Sequence, residues 1–78
     1  MKPNLAEIER MILHYFNLPT VKASTKYEIK SSVESQIEEQ YKKKPNIKME
    51  DIVIALSNLE DQNKLEITYY EIMKAKGV

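Results

Sequence analysis

The sequence predicts one mostly α-helical domain with a small β element. Three stretches place apolar residues three and four positions apart, the spacing of an amphipathic helix. A later stretch alternates apolar and polar residues, as a strand with one buried face does. With 78 residues, of which 42% are hydrophobic, the chain has enough apolar surface for one core and too little for two. We therefore expect residues 1–78 to form a single domain.

The first helix is predicted over about Leu5–Asn17. Asn4 is a favourable N-cap residue, and Glu7 stands three positions later, where a capping box has its acid. Leu18 precedes Pro19 and ends the helix, because the residue before a proline is disfavoured in helical conformation. The residues expected to form the inward stripe are Leu5, Ile8, Met11, Ile12, Tyr15 and Phe16.

A second, longer helix is predicted from about Lys26 to Lys43. Thr25 and Glu28 have the spacing of a capping box, and Pro45 disfavours helix beyond Lys44. The connection before this helix has room for a minimal strand at residues 20–22. The apolar stripe of the helix is narrow and consists of Ile29, Val33, Ile37 and Tyr41.

The third helix is predicted over about Met49–Gln62. Taking Lys48 as the N-cap puts Ile47 and Ile52 at the two positions of a hydrophobic staple. Asn63 suits the left-handed residue that follows many helices. The expected inward stripe is Met49, Ile52, Ala55, Leu56 and Leu59.

The alternation that follows the third helix predicts a strand over residues 65–70. Leu65, Ile67 and Tyr69 share one side of this strand and are expected to face the core. The pattern of residues 71–78 is compatible with a longer strand, with a partner strand or with a frayed end.

Composition argues against most catalytic and metal chemistry. The chain has no Cys, one His and one Gly, which excludes disulfides, thiolate metal sites and a glycine-rich phosphate loop. Its adjacent carboxylates, such as Glu38 with Glu39, fall on different faces of a helix, so they do not converge as an acid–base pair. We expect no enzymatic activity, no metal and no cofactor. No apolar stretch reaches 18 residues, and we expect a cytoplasmic protein without a membrane span.

Residues 47–67 resemble the third helix and the following strand of winged helix-turn-helix domains. In that family an Ile, an Ala-Leu pair and a Leu three residues later pack inward, and a Gly or Asn turn followed by Lys-Leu begins the wing. The corresponding residues here are Ile52, Ala55, Leu56, Leu59, Asn63, Lys64 and Leu65. The resemblance implies a three-helix domain, and the few residues after position 70 imply a wing that is short or missing.

The resemblance also implies a transcriptional regulator that places its third helix in the major groove of duplex DNA, acting as a homodimer. On the outward side of that helix, Ser57 and Asn58 would bond base edges and Ile54 would contact a thymine methyl group. The phosphate contacts would come from lysines around the turn between the second and third helices, namely Lys43, Lys44 and Lys48.

A second interpretation is a protein–protein interaction module, acting as a subunit or an inhibitor without binding nucleic acid. The net charge is zero, and residues 49–78 carry three basic and six acidic groups, which repel phosphate. The third helix contains no Arg, the commonest partner of guanine. An outward Ile54 and five tyrosines also suit a protein interface. The lysines near position 43 are equally accounted for by the helix dipole. Both interpretations stay open, and the resemblance together with the lysine patch makes DNA binding the first expectation, with the interaction module as the alternative.

Overall fold

A computed structural model describes residues 2–69 and 71–75 of the chain. It confirms the predicted fold class, a mostly α-helical arrangement with a small antiparallel sheet. The elements in chain order are α1 (Leu5–Phe16), β1 (Ala23–Ser24), α2 (Lys26–Tyr41), α3 (Met49–Asp61), β2 (Leu65–Ile67) and β3 (Ile72–Lys74). The strand order in the sheet is β1-β3-β2, and this topology is compatible with a winged helix.

The three helices begin where the sequence places their caps. The side chain of Asn4 accepts from the backbone N–H of Glu7 at 2.9 Å. Thr25 and Glu28 form the predicted capping box, with reciprocal bonds of 3.2 and 3.0 Å between side chain and backbone. At the start of α3, the carboxylate of Asp51 accepts from the backbone N–H of Lys48 at 2.8 Å. These bonds satisfy N–H groups that a helix start would otherwise leave without acceptors.

The helix ends explain small differences from the predicted boundaries. Lys42 adopts a left-handed conformation with φ of 56°, so α2 ends at Tyr41 and not at Lys43. After α3, Asn63 has φ of 60°, the left-handed conformation predicted for it. The N–H of Lys64 bonds to the carbonyl of Leu59 at 2.9 Å, which completes a Schellman motif with the Asn63 bond to Glu60. α1 ends at Phe16 and α3 at Asp61, each one residue early.

The core lies between the three helices and one side of the sheet. The predicted inward stripe of α3 is confirmed for Ile52, Ala55, Leu56 and Leu59, whose exposed fractions are 3% or less. Leu5 was expected in this core but is exposed, since it is the first residue of α1. The remaining buried hydrophobic residues are Ile8, Met11, Ile12, Phe16, Ile29, Val33, Ile37, Ile47, Leu65 and Ile72.

Polar contacts fix α1 against α2. The Tyr41 hydroxyl at the end of α2 donates a short hydrogen bond to the Glu7 carboxylate near the start of α1. This bond favours the neutral phenol and raises the pKa of Tyr41 above its usual value, with burial adding to the effect. Midway along the helices, the Gln36 side chain donates to the carbonyl of Met11 at 3.0 Å. The two helices are therefore held at two separate points.

The sheet corrects two expectations. Its first strand lies at Ala23–Ser24 and not at residues 20–22. The strand predicted over residues 65–70 ends at Ile67, because the N–H of Thr68 bonds to the carbonyl of Glu71 at 2.8 Å and closes a hairpin turn. Only Leu65 of the expected inward side is buried.

The other two residues of that side are exposed, although Ile67 shares its side of the sheet with buried Ile72. Ile67 is 39% and Tyr69 is 89% exposed. Part of residues 71–78 forms the partner strand β3, so a hairpin with a short turn lies where the resemblance implied a short or missing wing. Tyr70, predicted as strand, and residues 76–78 lie outside the described residues.

Candidate functional site

The outward side of α3 combines apolar and acidic side chains. We call the set Glu50, Val53, Ile54, Ser57, Glu60 and Asp61 the α3 face, and all six are exposed. Helical spacing puts Glu50, Ser57 and Asp61 along its centre, with Val53 on one flank and Ile54 on the other. Val53 is 45% and Ile54 is 50% exposed. The buried stripe described above fixes this orientation, because those residues point the opposite way.

Asn58 is not free on the α3 face. It is half-buried, and its side-chain amide donates to Glu9 Oε2 on α1 at 3.2 Å. The Gln62 amide donates to the other oxygen of the same carboxylate at 3.4 Å. Of the three α3 residues predicted to contact bases, Ile54 and Ser57 are therefore presented to solvent, whereas Asn58 joins α3 to α1.

The predicted phosphate-binding lysines surround the connection between α2 and α3. Lys43, Lys44 and Lys48 are all exposed there. Lys44 lies beside acidic residues, since it lines a shallow cavity with Glu34 and Glu38. A phosphate group at this place would meet carboxylates as well as ammonium groups.

Val53 was missed by the sequence reasoning, although a signal for it existed. Ile52, Val53 and Ile54 are three consecutive β-branched residues in a helix, and consecutive side chains point about 100° apart. A single inward stripe cannot include all three. With Ile52 buried, Val53 and Ile54 point about 100° and 200° away from it and reach solvent.

The α3 face continues to the hairpin. Val53, Ser57 and Glu60 are four and three residues apart, so they follow one stripe along the helix. At the end of this stripe, Glu60 Oε2 accepts from the backbone N–H of Ile67 on β2 at 3.3 Å. The backbone of Ile67 is thus held at the edge of the α3 face, and its apolar side chain is exposed there.

Ile67 also lines a groove between the start of α2 and the hairpin. We call it the hairpin groove; its volume is about 320 Å³, and its walls include Thr25, Tyr27, Ile67, Tyr69, Glu71 and Ile72. Tyr27 is 66% exposed, and its ring lies 5.5 Å from the ammonium group of Lys26. Seven large hydrophobic residues are strongly exposed within the described ranges. Five of them, Tyr27, Val53, Ile54, Ile67 and Tyr69, belong to the α3 face or the hairpin groove.

Carboxylates dominate the charge around this combined surface. Glu50, Glu60 and Asp61 lie on the α3 face, and Glu71 lines the hairpin groove. The groove contributes one ammonium group, that of Lys26. The surface as a whole is therefore negative at neutral pH.

Across residues 2–69 and 71–75, no group of three or more His, Cys, Asp or Glu side chains is placed to hold a metal ion. His14 lies exposed on α1 beside Arg10, at a cleft next to Leu59 and Lys64. None of the helices, taken over those described residues, is both long and apolar enough to cross a bilayer.

Comparison with family models found no match, and searches of curated proteins and of solved structures found no significant match either.

Proposed function

We propose that this protein is an interaction module that binds a partner protein through the α3 face. The observation that carries the proposal is the pair Val53 and Ile54, two neighbouring branched apolar side chains that are each about half exposed on a helix. Single exposed apolar residues are common, but adjacent ones that continue to further exposed apolar groups are typical of interfaces. The continuation here runs through Glu60 to Ile67.

The charge of the same face supports a protein partner over DNA. The centre of the face holds Glu50 and Asp61 on either side of Ser57. Two unit charges of like sign 4 Å apart repel by about 1 kcal/mol in water and by more near a protein surface. Each carboxylate placed in a major groove lined by phosphates would therefore weaken binding, and Asn58 is already bonded to Glu9.

The test compares two variants that each replace a pair of exposed apolar side chains. Val53→Gln with Ile54→Gln alters the α3 face, while Leu5→Gln with Leu18→Gln alters exposed residues elsewhere. Unfolding curves first confirm that both variants fold as the wild-type protein does. Tagged forms of all three proteins are then used to capture partner proteins from an extract of the source cells. We expect one or more proteins to be retained by wild type and by the Leu variant and lost with the α3 variant. Equal retention by all three forms, or none by wild type, would contradict the proposal.

Duplex DNA binding by a homodimer is the second candidate, and a specific observation favours it. Lys43, Lys44 and Lys48 are exposed together beside the start of α3, on a topology compatible with a winged helix. Lysines in this position meet phosphates and fix a helix over a groove. The orientation of Ser57 and Ile54 towards solvent also suits contact with base edges.

A retardation assay separates the two candidates. If DNA binding holds, micromolar protein retards random duplex DNA at about 50 mM salt, and retardation weakens steeply as salt rises. Lys43→Glu with Lys48→Glu should abolish retardation, whereas Lys22→Glu with Lys26→Glu, which makes the same change in charge elsewhere, should reduce it only slightly. Unchanged DNA mobility with wild-type protein eliminates this candidate.

A further inference from the structure

We infer that the partner presents a basic segment with apolar side chains, which lies along the Val53 flank of the α3 face and inserts one apolar side chain into the hairpin groove. This inference rests on the proposed function, because it specifies the partner of the same surface. It commits to a partner protein, and a second copy of this chain becomes an outcome of the test.

Continuity of apolar surface supports the path of the segment. The stripe from Val53 through Ser57 to Glu60 leads to Ile67, since Glu60 is bonded to the Ile67 backbone. Ile67 then forms part of the wall of the hairpin groove. A segment that starts at Val53 can therefore follow exposed side chains to the groove without crossing the buried core.

The groove has the size and lining for a side chain. Its volume of about 320 Å³ is near the lower limit for small-molecule sites, which makes a single bulky side chain a better occupant than a free ligand. Tyr27 and Tyr69 offer aromatic surface, and Ile67 and Ile72 offer branched apolar surface. Aromatic and aliphatic side chains anchored in such grooves supply much of the energy of protein interfaces.

Charge complementarity determines the sign of the partner. Glu50, Asp61 and Glu71 are exposed around the path, and Lys26 is the one lysine in the lining of the hairpin groove. A segment with Lys or Arg between its apolar residues meets these carboxylates favourably. Two copies of this chain joined face to face across a two-fold axis would instead bring the same carboxylates together, which costs free energy.

The experiment uses two synthetic peptides with identical Leu and Phe positions, one with Lys and the other with Glu between them. Each is titrated into the full-length ¹⁵N-labelled protein, and amide shifts are followed by NMR. We expect the Lys peptide to shift the amides of Val53, Ser57 and Ile67 and to bind at least tenfold more tightly than the Glu peptide. That preference should shrink as salt rises, because salt screens exposed charges.

Substitutions then test the groove and the charge separately. Tyr27→Ala with Tyr69→Ala should weaken binding of the Lys peptide at least fivefold. The control variant Leu18→Ala should bind that peptide with unchanged affinity. Glu50→Gln with Asp61→Gln should reduce the preference for the Lys peptide and leave the folded spectrum intact.

Several results would overturn the inference. The first two are equal affinity for the two peptides and no binding of either peptide. The third is a set of amide shifts confined to the acidic side of α2 near Glu38. The fourth is self-association of the wild-type protein that the double substitution Val53→Gln with Ile54→Gln removes. If both peptides bind equally at α3 and the α3 variant loses both, the basic partner is wrong and the proposed function stands. If that variant keeps its cellular partners and both peptides, the proposed function itself fails.

Discussion

The side-chain amide of Asn58 on α3 donates a 3.2 Å hydrogen bond to the Glu9 carboxylate on α1. Because both side chains are half-buried, this bond contributes to the docking of the two helices. A residue expected from the sequence to face DNA thus has a structural contact inside the protein.

Replacing Asn58 with Ala should therefore lower stability. Loss of one hydrogen bond to a charged group in a partly exposed place costs about 0.5–1.5 kcal/mol in the free energy of unfolding. Urea denaturation of Asn58→Ala, Glu9→Ala and the double variant measures the coupling between them. The matched variant Ser57→Ala, at an exposed neighbour, should change stability by less than about 0.5 kcal/mol. Additive effects of the two single substitutions would show that the bond contributes nothing.

Val53 and Ile54 should be dispensable for folding. Val53→Gln and Ile54→Gln each replace a side chain about half in solvent, so we expect changes within about 0.5 kcal/mol of wild type. Ile52→Ala, on the adjacent and fully buried position, should cost about 2–5 kcal/mol because it leaves a cavity. Chemical unfolding curves provide the comparison. A large loss with either Gln variant would mean that these residues support the core and not a partner.

Glu28 should make stability depend on pH in the acidic range. Its carboxylate accepts from the backbone N–H and the hydroxyl of Thr25, with a weaker contact from Ser24, and these bonds lower the pKa of Glu28 below its usual 4.5. Because the pKa of this carboxyl is lower in the folded state than in the unfolded state, its charge stabilises the fold at pH values above the unfolded-state pKa. That contribution is lost as the pH falls through the folded-state pKa.

Glu28→Gln tests this dependence, because Gln keeps an acceptor oxygen in the capping box but carries no charge. The variant should be less stable than wild type at pH 7, and the difference should close as pH falls below about 4.5. Thermal unfolding at several pH values measures it. A difference that stays constant from neutral to acidic pH would rule out the carboxylate as its source.

Glu60 should protect the free edge of β2. Its carboxylate accepts from the Ile67 N–H, which has no strand partner on that side within residues 2–69 and 71–75. Glu60→Ala should raise the exchange rate of the Ile67 amide about two- to fivefold, equivalent to about 0.5–1 kcal/mol for an exposed bond. The Glu66 amide, which points towards β3 by the alternation of the antiparallel ladder, serves as the internal control. Equal acceleration of both amides would indicate general loosening of the hairpin.

Glycine in place of Lys42 should make the protein more stable. The Lys42 φ of 56° is a left-handed conformation, which costs a residue with a Cβ about 1–2 kcal/mol. Glycine avoids this cost, but part of the gain is offset because glycine gives the unfolded chain more conformational freedom. Lys42→Gly should therefore raise the free energy of unfolding by about 0.5–1 kcal/mol. Gln40→Gly, inside α2, should lower it by about 1 kcal/mol. If both variants are destabilised alike, the left-handed turn is not a source of strain.

The helices could be predicted well because their signals are local. Asn4, Thr25 and Lys48 are N-caps as predicted, and the inward stripe of α3 follows directly from apolar spacing. The sheet was harder to predict, since it depends on residues far apart in the chain. Ser24 pairs with Ile72, and neither short segment carries enough alternation to indicate its partner.

The candidate site was predicted only in part for a related reason. Helical spacing places Ile54, Ser57 and Asn58 away from the buried stripe, but it does not tell how closely α1 passes beside them. That approach, set by packing of whole helices, is what gives Asn58 its partner in Glu9. The hairpin groove was missed because the alternation at residues 65–70 predicted Ile67 and Tyr69 as buried, whereas the early turn at Thr68 leaves them outside.

The central position of β3 makes both outer strands depend on it. In the described part of the chain β1 and β2 do not pair with each other, and each is joined to the sheet through β3. Any event that releases Ile72–Lys74, such as proteolytic removal or local opening of the hairpin, leaves Ala23–Ser24 and Leu65–Ile67 without their strand partner at the same moment. Two segments far apart in the chain therefore lose their backbone pairing as one unit.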